Sequence, residues 1–167
     1  SRGLGDVYKR QSLDSLGAGY HINQSKIALG SGGLFGKGFL QGSQSNLDFL
    51  PEKQTDFIFT MIGEEFGLAG GLFVLMIFVL LILYTYIISF LQSSQFGRLV
   101  CSGIVFMLFS YVFVNIGMVS GMLPVVGAPL PLISYGGSSM LTIFISFGIV
   151  LSASIHRFDK LEVRERI

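Results

Sequence analysis

Three carboxylates, Asp56, Glu64 and Glu65, stand close together in LPEKQTDFIFTMIGEE (50–65), at the head of an apolar run that continues FGLAGGLFVLMIFVLLILYTYIISF. A carboxylate beside a lipid-facing segment is usually paired or turned into a protein or water-filled cavity, which makes it a functional candidate by default. Each acid also has a plainer use. Thr55 or Asp56 can satisfy free amides at a helix start and favour its dipole, and Glu64 can pair with Lys53 or with a residue upstream. If the segment is one helix, about 100° per residue puts Glu64 about 80° and Glu65 about 180° from Asp56 around the axis. Only Glu64 is then able to share a cavity with Asp56. A straight helix from Asp56 to Phe90 would be roughly 50 Å long, longer than a bilayer core, so Asp56 is expected at or above an interface.

Other chemical motifs fail on inspection. SGGLFGKG has Ser31 where a phosphate loop needs Gly and Gly38 where it needs Ser or Thr. GSGGLF places Phe35 at the last Gly of a dinucleotide fingerprint. His21 and His156 fall on opposite expected sides of the membrane, so they form neither a metal cluster nor a triad. The single cysteine, Cys101, lies in an apolar block and cannot pair within the chain. A net charge of +1 argues against a nucleic-acid partner.

The elements that must carry these residues are membrane spans. Hydrophobic residues make up 51% and charged residues 13% of the 167, with a mean hydropathy of +0.68, where a soluble domain carries about 25% charged residues. Three blocks are long enough to cross a hydrocarbon core, which takes ~20 helical residues: Leu68 to Phe90, Leu99 to about Val119, and about Leu132 to Ile155. All three are expected to be α-helices, since the backbone must satisfy itself in lipid. Arg98 after the first span, and Arg157, Lys160, Arg164 and Arg166 after the third, put those segments on the cytoplasmic side by the positive-inside rule. The segment before the first span is then outside.

Between Leu16 and Lys53 runs a loop too long to be a mere connector. Ile22, Ile27, Ala28 and Leu29 predict a short amphipathic helix resting on the membrane surface, and the glycines of GSGGLFGKG allow positive φ and close approach to a ligand. After the second span, Pro129 and Pro131 forbid regular helix, SYGGSS permits tight packing, and Asn115 and Ser120 are expected to hydrogen-bond between helices. The opening SRGLGDVYKRQ is polar and lacks the apolar centre of a signal peptide. Its DVYKRQ resembles translated adapter sequence, so the expected division is a non-native segment over 1–11, an extracytoplasmic loop over 12–55, a three-span region over 56–158 and a cytoplasmic tail over 159–167.

GAGYHINQSKIALGSGGLFGKG, LDFLPEKQTDFIFTMIGEEFGLAGG, YVFVNIGMVSGMLPVVGAPLPLISYGGSS and the terminal HRF occur in that order. Together they resemble the C-terminal portion of the SEDS family, which includes RodA, FtsW and SpoVE, and the GYH and GLFGKG details favour the RodA branch. The resemblance implies an all-α integral membrane fold of about ten spans, of which this chain holds the long extracytoplasmic loop, with short helices, and the last three. It implies a peptidoglycan glycosyltransferase of the bacterial cytoplasmic membrane that polymerises lipid II during cell elongation, the fragment alone being inactive. Its expected partners are a class B penicillin-binding protein, the elongation machinery and membrane lipids. The family's essential loop aspartate, in its LPE-x-x-TDFIF motif, matches Asp56 and implies a general base. Lys26, Lys53 and Lys37 are candidates to meet the pyrophosphate, with a divalent cation, Mg or Mn, as a candidate cofactor, and Glu64 is a candidate to orient the site or hold that cation. Two rival functions remain: a flippase or transporter for lipid-linked precursors, and a non-catalytic scaffold for a penicillin-binding protein.

Overall fold

The computed structural model describes residues 18–39, 41 and 55–156. The expected non-native segment 1–11, Lys53 and the basic tail from Arg157 onward lie outside them. The described residues form four helices and no strand: α1 (Ala18–Ser31), α2 (Ile58–Phe90), α3 (Gln95–Val119) and α4 (Gly137–Ile155). The last three, of 33, 25 and 19 residues, are long and apolar enough to cross a membrane.

Two features fix the span ends. α3 starts at Gln95, ahead of the expected Leu99, because Ser89 Oγ donates to the Arg98 carbonyl at 3.0 Å and so secures the turn from α2. α4 starts at Gly137, later than the expected Leu132, because the proline loop extends through Leu132, whose φ is 64°. Hydroxyls inside the spans satisfy themselves by bonding one turn back, as Thr85 does to Leu81 O at 2.9 Å and Ser146 to Thr142 O at 2.7 Å.

The helices pack around two apolar clusters, one at each end. Phe57, Phe59, Phe78, Val112, Val119 and Leu130 form the first, and Ile88, Cys101, Ile104, Leu108, Ile143 and Val150 the second. Phe73, Met76, Leu80, Phe106, Phe144 and Leu151 are exposed, which in water would be a liability and in a bilayer is what a helix presents to lipid or to another helix.

α2 is not one straight helix. Its backbone breaks at Gly67, with φ 67° and ψ −162°, and Leu68–Phe90 beyond it still spans about 34 Å at ~1.5 Å per residue. In an unbroken helix the Glu64 and Glu65 carbonyls would accept from the amides of Leu68 and Ala69. The loop after α1 supplies all four missing partners. Lys37 N donates to Glu64 O and Gly38 N to Glu65 O, each at 3.0 Å, while Leu68 N donates to Gly33 O at 2.9 Å and Ala69 N to Leu34 O at 3.1 Å. Irregular backbone near lipid is tolerated only when so satisfied. A β-carbon at Gly36 would overlap the Glu65 carbonyl, and one at Gly67 would overlap the Gly36 amide, where both residues have positive φ. The glycines therefore allow a close approach of the loop backbone to α2.

α1 also departs from expectation. Ile22, Ser25 and Ala28, spaced one turn apart, are buried, and Ile27 is exposed. Ser25 Oγ hydrogen-bonds Thr60 Oγ1 at 3.1 Å and the Val119 carbonyl at 2.7 Å. The helix thus docks its inner face on α2 and α3; it does not simply rest on the membrane surface.

Candidate functional site

Asp56 sits in the turn before α2. Phe57 is the N-cap residue and no side chain caps it, so Asp56 is neither in the helix nor its cap. That removes the helical arithmetic relating Asp56 to Glu64, since the 100° step applies only between helical residues. Asp56 is buried, at 8% exposure. Its Oδ2 lies 3.3 Å from where a β-carbon would stand at Gly127, whose φ is 68°.

Two elements, α3 and the proline loop, hold this turn. Asn115 Nδ2, on α3, donates to the Asp56 carbonyl at 2.9 Å and to the Ala128 carbonyl at 2.6 Å. Ser134 Oγ donates to the Thr55 carbonyl and accepts from Leu130 N at 2.7 Å. Phe57 and Phe59 enter the apolar cluster with Val119 and Leu130. The proline loop, 120–136, is thereby drawn over Asp56. At the other end of the same loop the Lys26 side chain, from α1, lies over Gly121. Lys26 is exposed, so a cation and a carboxylate border one loop from different elements.

Glu64 and Lys37 are elsewhere, at the break in α2. Lys37 Nζ lies 2.9 Å from Glu64 Oε1, with the carboxylate side chain only 1% exposed and the lysine 30%. Glu64 pairs with Lys37; the expected alternative partner Lys53 lies outside the described residues. Among the described residues no three His, Cys, Asp or Glu side chains come together, so a divalent cation at Asp56 would need ligands from elsewhere, such as substrate phosphates.

An apolar groove of about 400 Å³ opens beside Phe59 and Gly63 and runs along α2 past Gly67 to Leu75 and Ile116. A second, of about 500 Å³, continues from Leu75 and Ile116 between α2 and α3 to Phe109 and Phe113. The shared residues make one apolar track leading away from the Asp56 turn.

The sequence matches the model of the cell cycle protein family of FtsW, RodA and SpoVE over residues 7–159. The chain belongs to that family. Relatives include peptidoglycan glycosyltransferase MrdB of Escherichia coli K12, 58% identical over 144 residues that cover 86% of this chain and 39% of MrdB. Peptidoglycan glycosyltransferase RodA of Treponema pallidum is 44% identical, covering 87% of this chain and 34% of RodA. The chain thus spans between a third and two-fifths of the length of these curated relatives. A chain from a structure titled for the coordination of polymerization and crosslinking by a peptidoglycan synthase complex superposes with a TM-score of 0.77 at 28% identity, over 93% of this chain and 42% of that one. The FtsW, RodA and SpoVE family membership agrees with the all-helical membrane architecture. Asn115 was legible only as a polar residue inside an apolar span, and its two carbonyl partners, far apart in sequence, had no signal there. Ser134 was legible only as the first residue of SYGGSS, a segment suited to tight packing, with no sign of its partners.

Proposed function

We propose that this chain is the C-terminal part of a peptidoglycan glycosyltransferase that polymerises lipid II at the outer face of the bacterial cytoplasmic membrane during elongation. The observation that carries the reading is the Asp56 carboxylate, held outside the helix at the end of the spans, with the Lys26 ammonium bordering the same loop. In the proposed reaction Asp56 takes the proton of the acceptor sugar's 4-hydroxyl as its oxygen bonds to the donor's anomeric carbon. The bond from that carbon to the pyrophosphate breaks, and undecaprenyl pyrophosphate leaves. A positioned general base contributes typically ~10²–10⁴-fold in rate.

Lys26 is suited to meet the departing pyrophosphate, and Lys53 is proposed for the same role. Lys37 and Glu64 hold each other and shape the α2 break beneath the site; a substrate role for either requires the pair to open. A divalent cation, Mg or Mn, is proposed as a cofactor: Asp56 would be its protein ligand, and it would supply charge neutralisation for the leaving pyrophosphate. The apolar track along α2 and α3 offers the polyprenyl tail a path out of the headgroup layer. Arg98 and the basic tail support a cytoplasmic C-terminus and an outer Asp56. A crosslinking class B penicillin-binding protein is the proposed partner, supported by the likeness to a synthase complex that couples polymerization to crosslinking.

The full-length protein, purified in detergent and given labelled lipid II, tests this. Glycan strands that disappear in Asp56→Asn are expected. Bound precursor with no polymer from the unaltered protein would revive the flippase or scaffold readings, and normal rates from Asp56→Asn would remove Asp56 as the base.

A further inference from the structure

Asp56 is gripped through its backbone from both sides. The Thr55 carbonyl, in the peptide before its Cα, accepts from Ser134 Oγ, and the Asp56 carbonyl, in the peptide after it, accepts from Asn115 Nδ2. Pinning both peptide planes fixes φ and ψ of the residue between them, and with them the direction of its Cα–Cβ bond. The opposing wall is pinned by the same side chains. Asn115 also holds Ala128, the neighbour of Gly127 against which the carboxylate lies, and Ser134 also holds Leu130 N. One amide and one hydroxyl thus set the gap between the carboxylate and the loop facing it.

Both side chains are buried, Asn115 at 0% and Ser134 at 5% exposure. The Asn115 Oδ1 atom is buried with no hydrogen-bond partner in the described structure. An orphaned acceptor is a standing cost, and an apolar residue would avoid it. What such a residue could not do is supply two donors to two carbonyls thirteen or more positions from Asn115 in sequence, the Ala128 pair being the nearer.

We propose that Asn115 and Ser134 are positioning residues that aim the Asp56 carboxylate. The inference rests on Asp56 being the base, and it assigns the aim of that base to two side chains that do not touch the substrate. The expected consequence of loosening either is a loss in the chemical step at unchanged substrate binding, because misplacement of a reacting group by about 1 Å can cost ~10²-fold in rate.

The test uses full-length protein with labelled lipid II and the variants Asn115→Ala, Ser134→Ala and Asp56→Asn. Turnover is normalised to the number of lipid II sites measured by direct binding, so that misfolded protein does not count, and its pH profile is recorded. Expected are a ~10–10²-fold fall in turnover per site for Asn115→Ala, a smaller fall for Ser134→Ala, an unchanged lipid II affinity, and a displaced acid limb of the profile. Full turnover per site with an unmoved acid limb in both variants, while Asp56→Asn is inactive, overturns the positioning role and leaves the base assignment standing. Activity in Asp56→Asn overturns the base assignment, and the positioning role with it. Where Asn115→Ala fails to accumulate, Ser134→Ala decides alone, since it leaves both Asn115 bonds in place.

Discussion

At the scale of single residues, the Lys37–Glu64 pair shows how burial decides what a charge is for. Glu64 is almost wholly removed from water and its partner only partly, so deleting the lysine takes an ion-pair partner from a buried carboxylate, whereas deleting both charges leaves no buried charge there to compensate. Lys37→Met in the full-length protein is expected to lower stability by about 2 kcal/mol or more, read as a fall in thermal midpoint in detergent. Adding Glu64→Gln to Lys37→Met should recover much of that loss. An unchanged midpoint with a raised lipid II requirement would instead return Lys37 to the substrate. Gly127 makes a second case. Gly127→Ala puts a methyl 3.3 Å from Asp56 Oδ2 on a backbone with φ 68°, and lower turnover per lipid II site is expected even in variants that accumulate normally.

At the scale of elements, the break in α2 is a backbone exchange. Two carbonyls and two amides lose their helical partners at Gly67, and the glycine loop after α1 replaces each of them. Because backbone meets backbone, no side-chain rearrangement can relieve a β-carbon there. Gly67→Ala and Gly36→Ala are each expected to cost more than ~4 kcal/mol, in the range reserved for failures of this kind, and to abolish accumulation of folded protein. Gly30→Ala, where a β-carbon meets nothing within 4 Å, is the control, expected to be neutral or to stabilise by up to ~1 kcal/mol, the propensity difference between the two residues in a helix. Comparable losses in all three, measured by thermal unfolding in detergent, would mean the break is not held by close backbone approach.

At the scale of the whole molecule, three spans place the Asp56 turn and the end of α4 on opposite faces of the membrane. Single cysteines in the full-length protein, in a background without other reactive thiols, report this in intact cells with an impermeant thiol reagent. Lys26→Cys is expected to label from outside, while Ser93→Cys, in the exposed α2–α3 turn, and His156→Cys label only after permeabilisation. The reverse pattern would put Asp56 in the cytosol and remove lipid II polymerisation at the outer face as its task. Cys101, with 0% exposure, should stay unlabelled throughout.

The amino-acid order alone settled the three spans, their helical state and the family, because apolar length and motif spacing are properties of consecutive residues and a bilayer accepts few other structures. It also singled out Asp56 as the acid at a span's edge. It did not place Asp56 ahead of the helix, and it carried the helical step across a break that only the inserted loop stabilises. It read α1 as a surface helix because Ile22, Ala28 and Leu29 look the same whether their cover is lipid or protein. The grip on Thr55 and Asp56 comes from residues 59 and 79 positions away, the former on Asp56 itself and the latter on Thr55, and a hydrogen bond to a carbonyl reads no side chain at the accepting end. Such contacts leave no pattern in the chain. Only the folded arrangement, which brings α3 and the proline loop against one turn, decides where the carboxylate points.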